Sequence, residues 1–312
     1  MTTETMPTER RIMRVFPRRT KATPNDGLVC IGWPSIIELI TPWTEAHISV
    51  TFSWDVELAE RMVEVWQSWA DGRTVKIGGP AMGAAGGNFE PGVYIRQGYT
   101  ITSRGCPNRC WFCGVWKREG VTVRELPIRD GWNVLDDNLL ACSEDHVRAV
   151  FAMLKRQERR AEFTGGLEAA RLRSWHVDLL RDLRPKQAFF AYDTPDDLEP
   201  LRQAGRMLLD AGFTTTSHQL RAYVLIGYPR DTFDAAEKRL NETVDAGFMP
   251  MAMLYRNAKG ETSADWRAFQ RLWARPAIIA GRRPNNAVHL TPAAGSRDDN
   301  DTEPQAQVTA DR

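Results

Sequence analysis

A repeated alternation of two kinds of segment dominates the second half of the chain. Short apolar runs, each typical of a buried strand, are followed by longer segments with apolar residues at helical spacing. The pairs are RAEFTGG with LEAARLRSWHVDLLRDL, KQAFFAYDT with PDDLEPLRQAGRMLLDAG, and QLRAYVLIGYP with DTFDAAEKRLNETVDAG, and MPMAMLYR follows as a last strand. Repeated strand-then-helix units of this length predict an α/β fold with a parallel sheet, either barrel-like or doubly wound.

Helix start and stop signals place the boundaries within these units. Thr194 is suited to cap a helix, with Pro195 at its first position and Asp197 completing a capping-box pattern. Gly212 and Gly247 are suited to end the helices that precede the next strands. Ligands of parallel sheets collect at the carboxyl ends of strands, where this chain has TGG, YDT and IGYP.

The first half of the chain contains a smaller α/β pattern. The segments LVCIGWP, HISVTFSW and TVKIGGP are typical of strands, and DVELAERMVEVWQSWA is typical of a helix between the last two. We therefore predict a small, incomplete βαβ unit over residues 13–92 and a larger domain over 93–280. Residues 1–12 and 281–312 are polar and short of large apolar residues, and we expect them to be disordered.

Composition excludes several classes of function. The 312 residues carry a formal net charge of +1, which is too small for a nucleic-acid groove or an anionic membrane surface. The chain has neither a signal-peptide core nor an apolar run long enough for a transmembrane helix. We expect a cytoplasmic protein with no membrane or nucleic-acid partner.

Three of the five cysteines lie in the segment TSRGCPNRCWFCGVWKREG, which begins at Thr102. Cys106, Cys110 and Cys113 have the spacing C-x3-C-x2-C, which suits a loop wrapped around one inorganic centre. A structural zinc site needs a fourth ligand, whereas a [4Fe-4S] cluster held by three cysteines leaves one iron open for a substrate or cofactor. We interpret Cys30 and Cys142 as buried thiols, and His146 as part of a helix start.

This cysteine motif, with Phe112 directly before its last cysteine, resembles the signature of the radical S-adenosylmethionine (radical SAM) superfamily. The wider segment TSRGCPNRCWFC most resembles the branch with N-terminal cobalamin-binding-like domains and the methylthiotransferases. The resemblance implies a [4Fe-4S] cluster on the three cysteines, with S-adenosylmethionine on the open iron. It also implies reductive cleavage to a 5′-deoxyadenosyl radical, a flavodoxin- or ferredoxin-like electron donor, and a partial (β/α)6 TIM-like barrel.

The resemblance further implies a set of cofactor-binding positions, namely Phe112, Gly165, Gly166, Glu168, Asp193, Ile226 and Gly227. Glu168 lies one residue later than the family's acid, so it either takes that role or is an acid of a first helical turn. Asp193 either binds ribose hydroxyls or makes a turn into the next helix. Asp137 and Asn138, in DDNLLACS, either face the same mouth or cap a helix.

The N-terminal unit resembles the later part of a cobalamin-binding domain, with Ser49, Gly78 and Gly79 at the matching positions. The family's Asp-x-His-x-x-Gly ligand pattern does not occur in the sequence, so we do not expect bound cobalamin. The pattern assigns no catalytic residue and no substrate. An alternative from another class is a non-catalytic zinc or iron–sulfur protein in which a distant fourth ligand completes a structural or redox-sensing site.

Overall fold

The computed structural model describes residues 10–274 and residue 279, apart from the side chain of Leu39. It divides into two compact units, with the division between Gln97 and Gly98. Both units contain parallel sheets and helices, so the α/β class predicted from the sequence is confirmed. Of the segments expected to be disordered, residues 1–9 and 281–312 lie outside the described part, whereas Ile12 begins a strand.

The first unit is a four-stranded parallel sheet with two helices. In chain order its elements are β1 (Ile12–Phe16), β2 (Val29–Ile31), α1 (Ile36–Ile40), β3 (Glu45–Ser49), α2 (Val56–Trp69) and β4 (Thr74–Gly78). The strand order is β2-β1-β3-β4, and all three pairings are parallel. The unit therefore has one more strand, β1, than the sequence pattern predicted.

Helix α2 covers one face of this sheet because its apolar residues recur at helical spacing. Ala59, Met62 and Trp66 are fully buried in the unit's apolar core. The short helix α1 begins at a capping box, in which Ser35 and Glu38 satisfy each other's backbone amides. The opposite face of the sheet is polar, as described below.

The second unit is built on a six-stranded parallel sheet. Its elements are β5 (Tyr99–Thr100), β6 (Ser103–Arg104), α3 (Val115–Arg118), β7 (Arg124–Glu125), β8 (Asn133–Val134), α4 (Glu144–Lys155), β9 (Glu162–Phe163), α5 (Ser174–Leu183), β10 (Gln187–Tyr192), α6 (Leu198–Asp210), β11 (Leu220–Ile226), α7 (Phe233–Asp245), β12 (Met249–Leu254) and α8 (Ala264–Trp273). The large sheet runs β5-β8-β9-β10-β11-β12, in chain order throughout, and β6 pairs with β7 in a separate antiparallel ribbon.

Most helix boundaries of this unit follow the predicted signals. Thr194 and Asp197 form the capping box, and Gly212 and Gly247 adopt positive φ directly after helices. Helix α5 is an exception, because it begins at Ser174 rather than at residue 167. The amide of Leu167 instead donates a hydrogen bond of 2.7 Å to the Phe189 carbonyl, which holds the preceding residues against β10.

The core of the second unit lies between the sheet and its helices. Phe151 of α4 stacks on Phe163 of β9 at 5.3 Å, and Phe190 of β10 packs edge-on against Phe248 at 5.1 Å. These rings are almost completely buried, and burial of a large apolar side chain stabilises a fold by roughly 1.5–3 kcal/mol. None of the described helices combines the length and the apolar character needed to span a bilayer.

Candidate metal and cofactor site

The cysteine loop leaves β6 and folds back onto the segment before β7. The Cys106 amide donates a hydrogen bond of 3.3 Å to the Gly120 carbonyl. Gly105 has a φ of +93°, and a Cβ at this position would lie 2.5 Å from the Thr122 carbonyl oxygen. Only glycine therefore allows the chain to turn so close to this backbone.

Two neighbouring carboxylates at the end of β8 hold the start of the loop. Asp136 accepts hydrogen bonds from the amide and hydroxyl of Thr102, both at 2.6 Å, and from the Ser103 hydroxyl at 2.7 Å. Asp137 accepts one from the Gly105 amide at 2.9 Å. Burial raises the pKa of both carboxyl groups, and the hydrogen bonds oppose this shift because they favour the charged form.

A buried glutamate ties the same loop to the ribbon of β6 and β7. The Glu119 carboxylate is almost fully buried and forms ion pairs with Arg104, Arg118 and Arg124 at 3.7, 2.9 and 2.8 Å. A buried charge needs such partners to offset its lost hydration. Arg118 is thus engaged in an internal ion pair.

The three loop cysteines are partly buried free thiols. The Cys113 amide donates a hydrogen bond of 3.1 Å to the Cys110 carbonyl, which tightens the turn between them. Burial, followed by the charges of Cys113 and Cys106, raises the pKa of Cys110 to about 12. Among the described residues, no three His, Cys, Asp or Glu side chains are already arranged around a common metal position.

Asn138 connects the cysteine loop to the segment after β9. Its side-chain amide nitrogen lies 3.4 Å from Cys106 Sγ and 2.6 Å from a carboxylate oxygen of Glu168. Glu168 also accepts a hydrogen bond of 2.6 Å from Arg171 Nε. Glu168 precedes a short 3-10 turn and lies well before α5, so it is not an acid of that helix's first turn.

The two glycines after β9 differ in their surroundings. A Cβ on Gly165 would lie 2.4 Å from the Asp136 carbonyl oxygen, so the close approach of β8 and β9 requires glycine there. Gly166 has a φ of +94°, and a Cβ there would meet no atom within 4 Å. Its backbone therefore faces open space, which is suitable for contact with a ligand.

The ends of β10 and β11 carry the remaining predicted positions. Asp193 accepts a hydrogen bond of 3.1 Å from the Leu225 amide, and burial, followed by the charge of Asp197, raises its pKa to about 7. Ile226 is fully buried, and Gly227 has a φ of +72° with its amide donating to Asp231. After burial and the charges of the other two cysteines, the charges of Asp193 and Asp197 also raise the pKa of Cys110. These carboxyl groups therefore lie within electrostatic range of the cysteine loop.

An aromatic cluster lies over the last cysteines. Phe112 is buried and packs edge-on against Trp111, which is 51% exposed. The Trp111 ring lies 5.6 Å from that of Tyr228 and 6.0 Å from that of Tyr255, which follow β11 and β12. Tyr228, Tyr255 and Asp136 were not predicted from the sequence. Tyr255 directly follows β12 and Asp136 lies two residues after β8, and these positions at strand ends could have indicated them.

The other residues considered as a fourth ligand have different neighbours. His146 Nε2 lies 3.2 Å from the Thr102 hydroxyl, and its Nδ1 lies 3.7 Å from Glu125. Cys142 Sγ lies 4.0 Å from the Asn138 carbonyl, and burial raises its pKa to about 12. Neither contact directs these side chains at the three loop cysteines.

The types of donor on this loop, rather than their present arrangement, are those that a cluster held by three cysteines needs. Three thiols lie on one loop, and an amide donor contacts one of their sulfurs, as is common around metal-bound thiolates. Among the described residues, no donor reaches the buried Asn138 side-chain oxygen. Such oxygens in native structures are bonded to protein or to ordered water, so a water or the N–H of a bound molecule is expected beside it.

In the first unit, the positions that resemble a cobalamin site lie at the ends of β3 and β4. Ser49 and Gly78 are paired in the ladder. A Cβ on Gly79 would lie 2.6 Å from the Val50 carbonyl oxygen, so packing against the neighbouring strand accounts for this glycine.

Comparison of the chain with models of known protein families finds no matching family, and comparison with curated proteins finds no match.

Proposed function

We propose that this chain is a radical SAM enzyme whose second unit is a partial (β/α)6 barrel. The observation that carries the proposal is the contact of Asn138 with both Cys106 Sγ and Glu168. It brings the cysteine loop next to the glycine segment after β9, at the carboxyl edge of a parallel sheet. Six parallel strands in chain order, with helices between most of them, support the barrel.

In this proposal Cys106, Cys110 and Cys113 hold a [4Fe-4S] cluster, and S-adenosylmethionine binds its remaining iron. When bound, the two cofactors supply a 5′-deoxyadenosyl radical that abstracts hydrogen from the substrate. The substrate itself is not assigned, and a low-potential flavodoxin- or ferredoxin-like protein remains the predicted electron donor.

The chain's own residues bind and orient these groups. The exposed backbone at Gly166 accepts close approach of a ligand, and Asp193 offers a carboxylate oxygen beyond the one bonded to Leu225. Phe112 on the loop and Ile226 at the end of β11 are buried apolar side chains, and each would keep water from a cofactor held beside it. The hydrogen bond from Asn138 stabilises negative charge on the Cys106 sulfur.

Anaerobic reconstitution tests this proposal. The protein should take up about four iron atoms per chain and, with dithionite and S-adenosylmethionine, yield methionine and 5′-deoxyadenosine. Changing Cys106, Cys110 or Cys113 singly to Ala should abolish both iron binding and cleavage. Cys142→Ala is the matched control, because this thiol lies in the same unit but should be dispensable.

A colourless, zinc-loaded protein without cleavage would overturn the proposal. That result would instead favour the non-catalytic metal protein, particularly if Cys142→Ala also lost the metal.

A further inference from the structure

The sheet of the first unit has one apolar face and one charged face. Met13, Val15, Ala46 and Ile48 belong to the apolar core that includes α2. Side chains alternate along a strand, so the intervening residues of β1, β3 and β4 lie on the other face. The ladder aligns Arg14 with His47 and His47 with Lys76 across this face. Both faces of an all-parallel sheet are usually covered by apolar layers, which makes this charged face unusual.

Glu45 is the centre of a polar network on this face. Its carboxylate accepts hydrogen bonds from Lys76 Nζ at 2.6 Å, Arg10 Nε at 2.7 Å and His47 Nε2 at 3.0 Å. The hydrogen bond from Arg10, followed by that from Lys76, holds the pKa of Glu45 well below its ordinary value. A carboxylate only accepts, so His47 Nε2 donates the hydrogen bond to Glu45. His47 Nδ1 forms a hydrogen bond with the Tyr94 hydroxyl.

Arg14 is fixed in position beside this network. Its guanidinium donates to the backbone carbonyls of Leu28, Gly92 and Val93 at 3.3, 3.2 and 3.1 Å, and it pairs with Asp26. The Arg14 side chain is only about one-tenth exposed. These bonds use four of the five guanidinium N–H groups, so Arg14 forms a fixed wall and retains one N–H for a ligand.

An open cavity of about 460 Å³ adjoins these side chains. Its lining residues are Arg10, Arg11, Ile12, Arg14, Leu28 and Val93. Three of these six lining residues are arginines, and none is acidic. Among the residues that the structure describes, the Arg11 guanidinium makes no hydrogen bond or ion pair, and Glu45 and Asp26 are the acids paired with the other two arginines.

We propose that this cavity binds the phosphoryl group of a small molecule. Phosphate oxygens match the N–H donors of arginine. The donors left after the internal bonds, on Arg11, on Nη1 of Arg10 and on Nη2 of Arg14, can share the oxygens of one phosphoryl group. The cavity is open to solvent, and its volume of about 460 Å³ leaves room for a small attached group beside Ile12, Leu28 and Val93. The site lies in the first unit and is independent of the proposed cluster chemistry.

Calorimetric titration of the full-length chain with sodium pyrophosphate tests the proposal. One pyrophosphate should bind per chain with saturation. Arg11→Gln should weaken this binding about tenfold, because a charge-assisted hydrogen bond to phosphate is lost. Arg10→Gln should weaken it as well, and circular dichroism should confirm that both variants are folded.

Arg61→Gln is the matched control, because Arg61 is an exposed arginine of α2 in the same unit. It should bind pyrophosphate as the unchanged protein does. Lack of saturable binding would overturn the proposal, and so would equal binding by the Arg11→Gln and unchanged proteins. Binding of succinate in place of pyrophosphate would overturn the assignment to a phosphoryl group.

Discussion

The side-chain amide of Asn138 lies between Cys106 Sγ, at 3.4 Å, and the Glu168 carboxylate, at 2.6 Å. Asn138 is about 30 positions away from each of these two partners along the chain. If Cys106 holds a cluster as proposed, Asn138 is the side chain that donates a hydrogen bond to this sulfur.

Asn138→Ala should therefore lower the reduction potential of a reconstituted cluster. Loss of a hydrogen bond to a sulfur ligand favours the oxidised, less negative cluster. The expected shift is on the order of 50 mV, which corresponds to about 1 kcal/mol for one electron. A redox titration followed by electron paramagnetic resonance would measure it. Thr164→Ala, which alters a neighbouring strand end, is a control, and an equal shift there would contradict the specific role of Asn138.

The two glycines after β9 should respond differently to substitution. Gly165→Ala places a methyl group 2.4 Å from the Asp136 carbonyl oxygen, and overpacking against backbone should lower the free energy of unfolding by about 2–3 kcal/mol. Gly166→Ala meets no atom within 4 Å but keeps a positive φ, and should cost about 1 kcal/mol. Urea denaturation of both variants measures the difference. A larger loss for Gly166→Ala would be inconsistent with the packing described here.

The buried ion pair of Asp231 and Arg239 should be important for stability. The two side chains are almost fully buried at 2.8 Å, and they also bind the Gly227 amide and the Leu225 carbonyl. Arg239→Met leaves a buried carboxylate without its partner and should lower the free energy of unfolding by about 3–5 kcal/mol.

The double variant Asp231→Asn/Arg239→Met provides the control for this pair. It removes both charges, so chemical denaturation should show that it recovers part of the free energy of unfolding that Arg239→Met loses. The two residues would not be coupled if the double variant lost as much free energy of unfolding as the single variants Asp231→Asn and Arg239→Met lose together.

His176 should make the stability of the second unit depend on acidic pH. Burial, followed by the charge of Arg173, lowers the pKa of His176 from 6.5 to about 4. The unfolded chain therefore binds the proton more readily, and the contribution of neutral His176 to stability is complete above about pH 6.5 and is lost as the pH falls towards 4. At about 1.4 kcal/mol per pKa unit, the loss is at most about 3.5 kcal/mol.

The pH dependence is measured by urea denaturation at several pH values. His176→Asn keeps an acceptor for the Arg173 amide, whose hydrogen bond to Nδ1 is 3.0 Å long, but it does not titrate. This variant should have a flatter stability profile between pH 4 and 6.5. An unchanged slope would show that other groups cause the dependence.

The sequence predicts the larger elements of the fold well because their signals are local. The apolar runs of β10, β11 and β12 and the capping box at Thr194 depend on residues that are near one another in the chain. The start of α5 was predicted too early, because the contact of Leu167 with Phe189 of β10 overrides helical spacing. Strand β1 was not predicted, because it lies in a short segment that carries three arginines on or before it.

The site could be predicted only as far as its motifs are continuous in sequence. The three cysteines and the glycines after β9 follow from short patterns. The contacts of Asn138 and the approach of Tyr228 and Tyr255 to Trp111 join distant segments, and no local pattern encodes them.

The strands nearest the cysteine loop are also the shortest, since β5, β8 and β9 each contribute two residues. Few ladder hydrogen bonds are available there, and Asp136 and Asp137 supply acceptors to the backbone in their place. On warming, this edge of the sheet should therefore open before the long strands β10 and β11 separate. Amide hydrogen exchange in the sheet should then be fastest in the strands beside the cysteines. A group bound at the proposed site would slow this exchange, because it would stabilise the folded form of these strands.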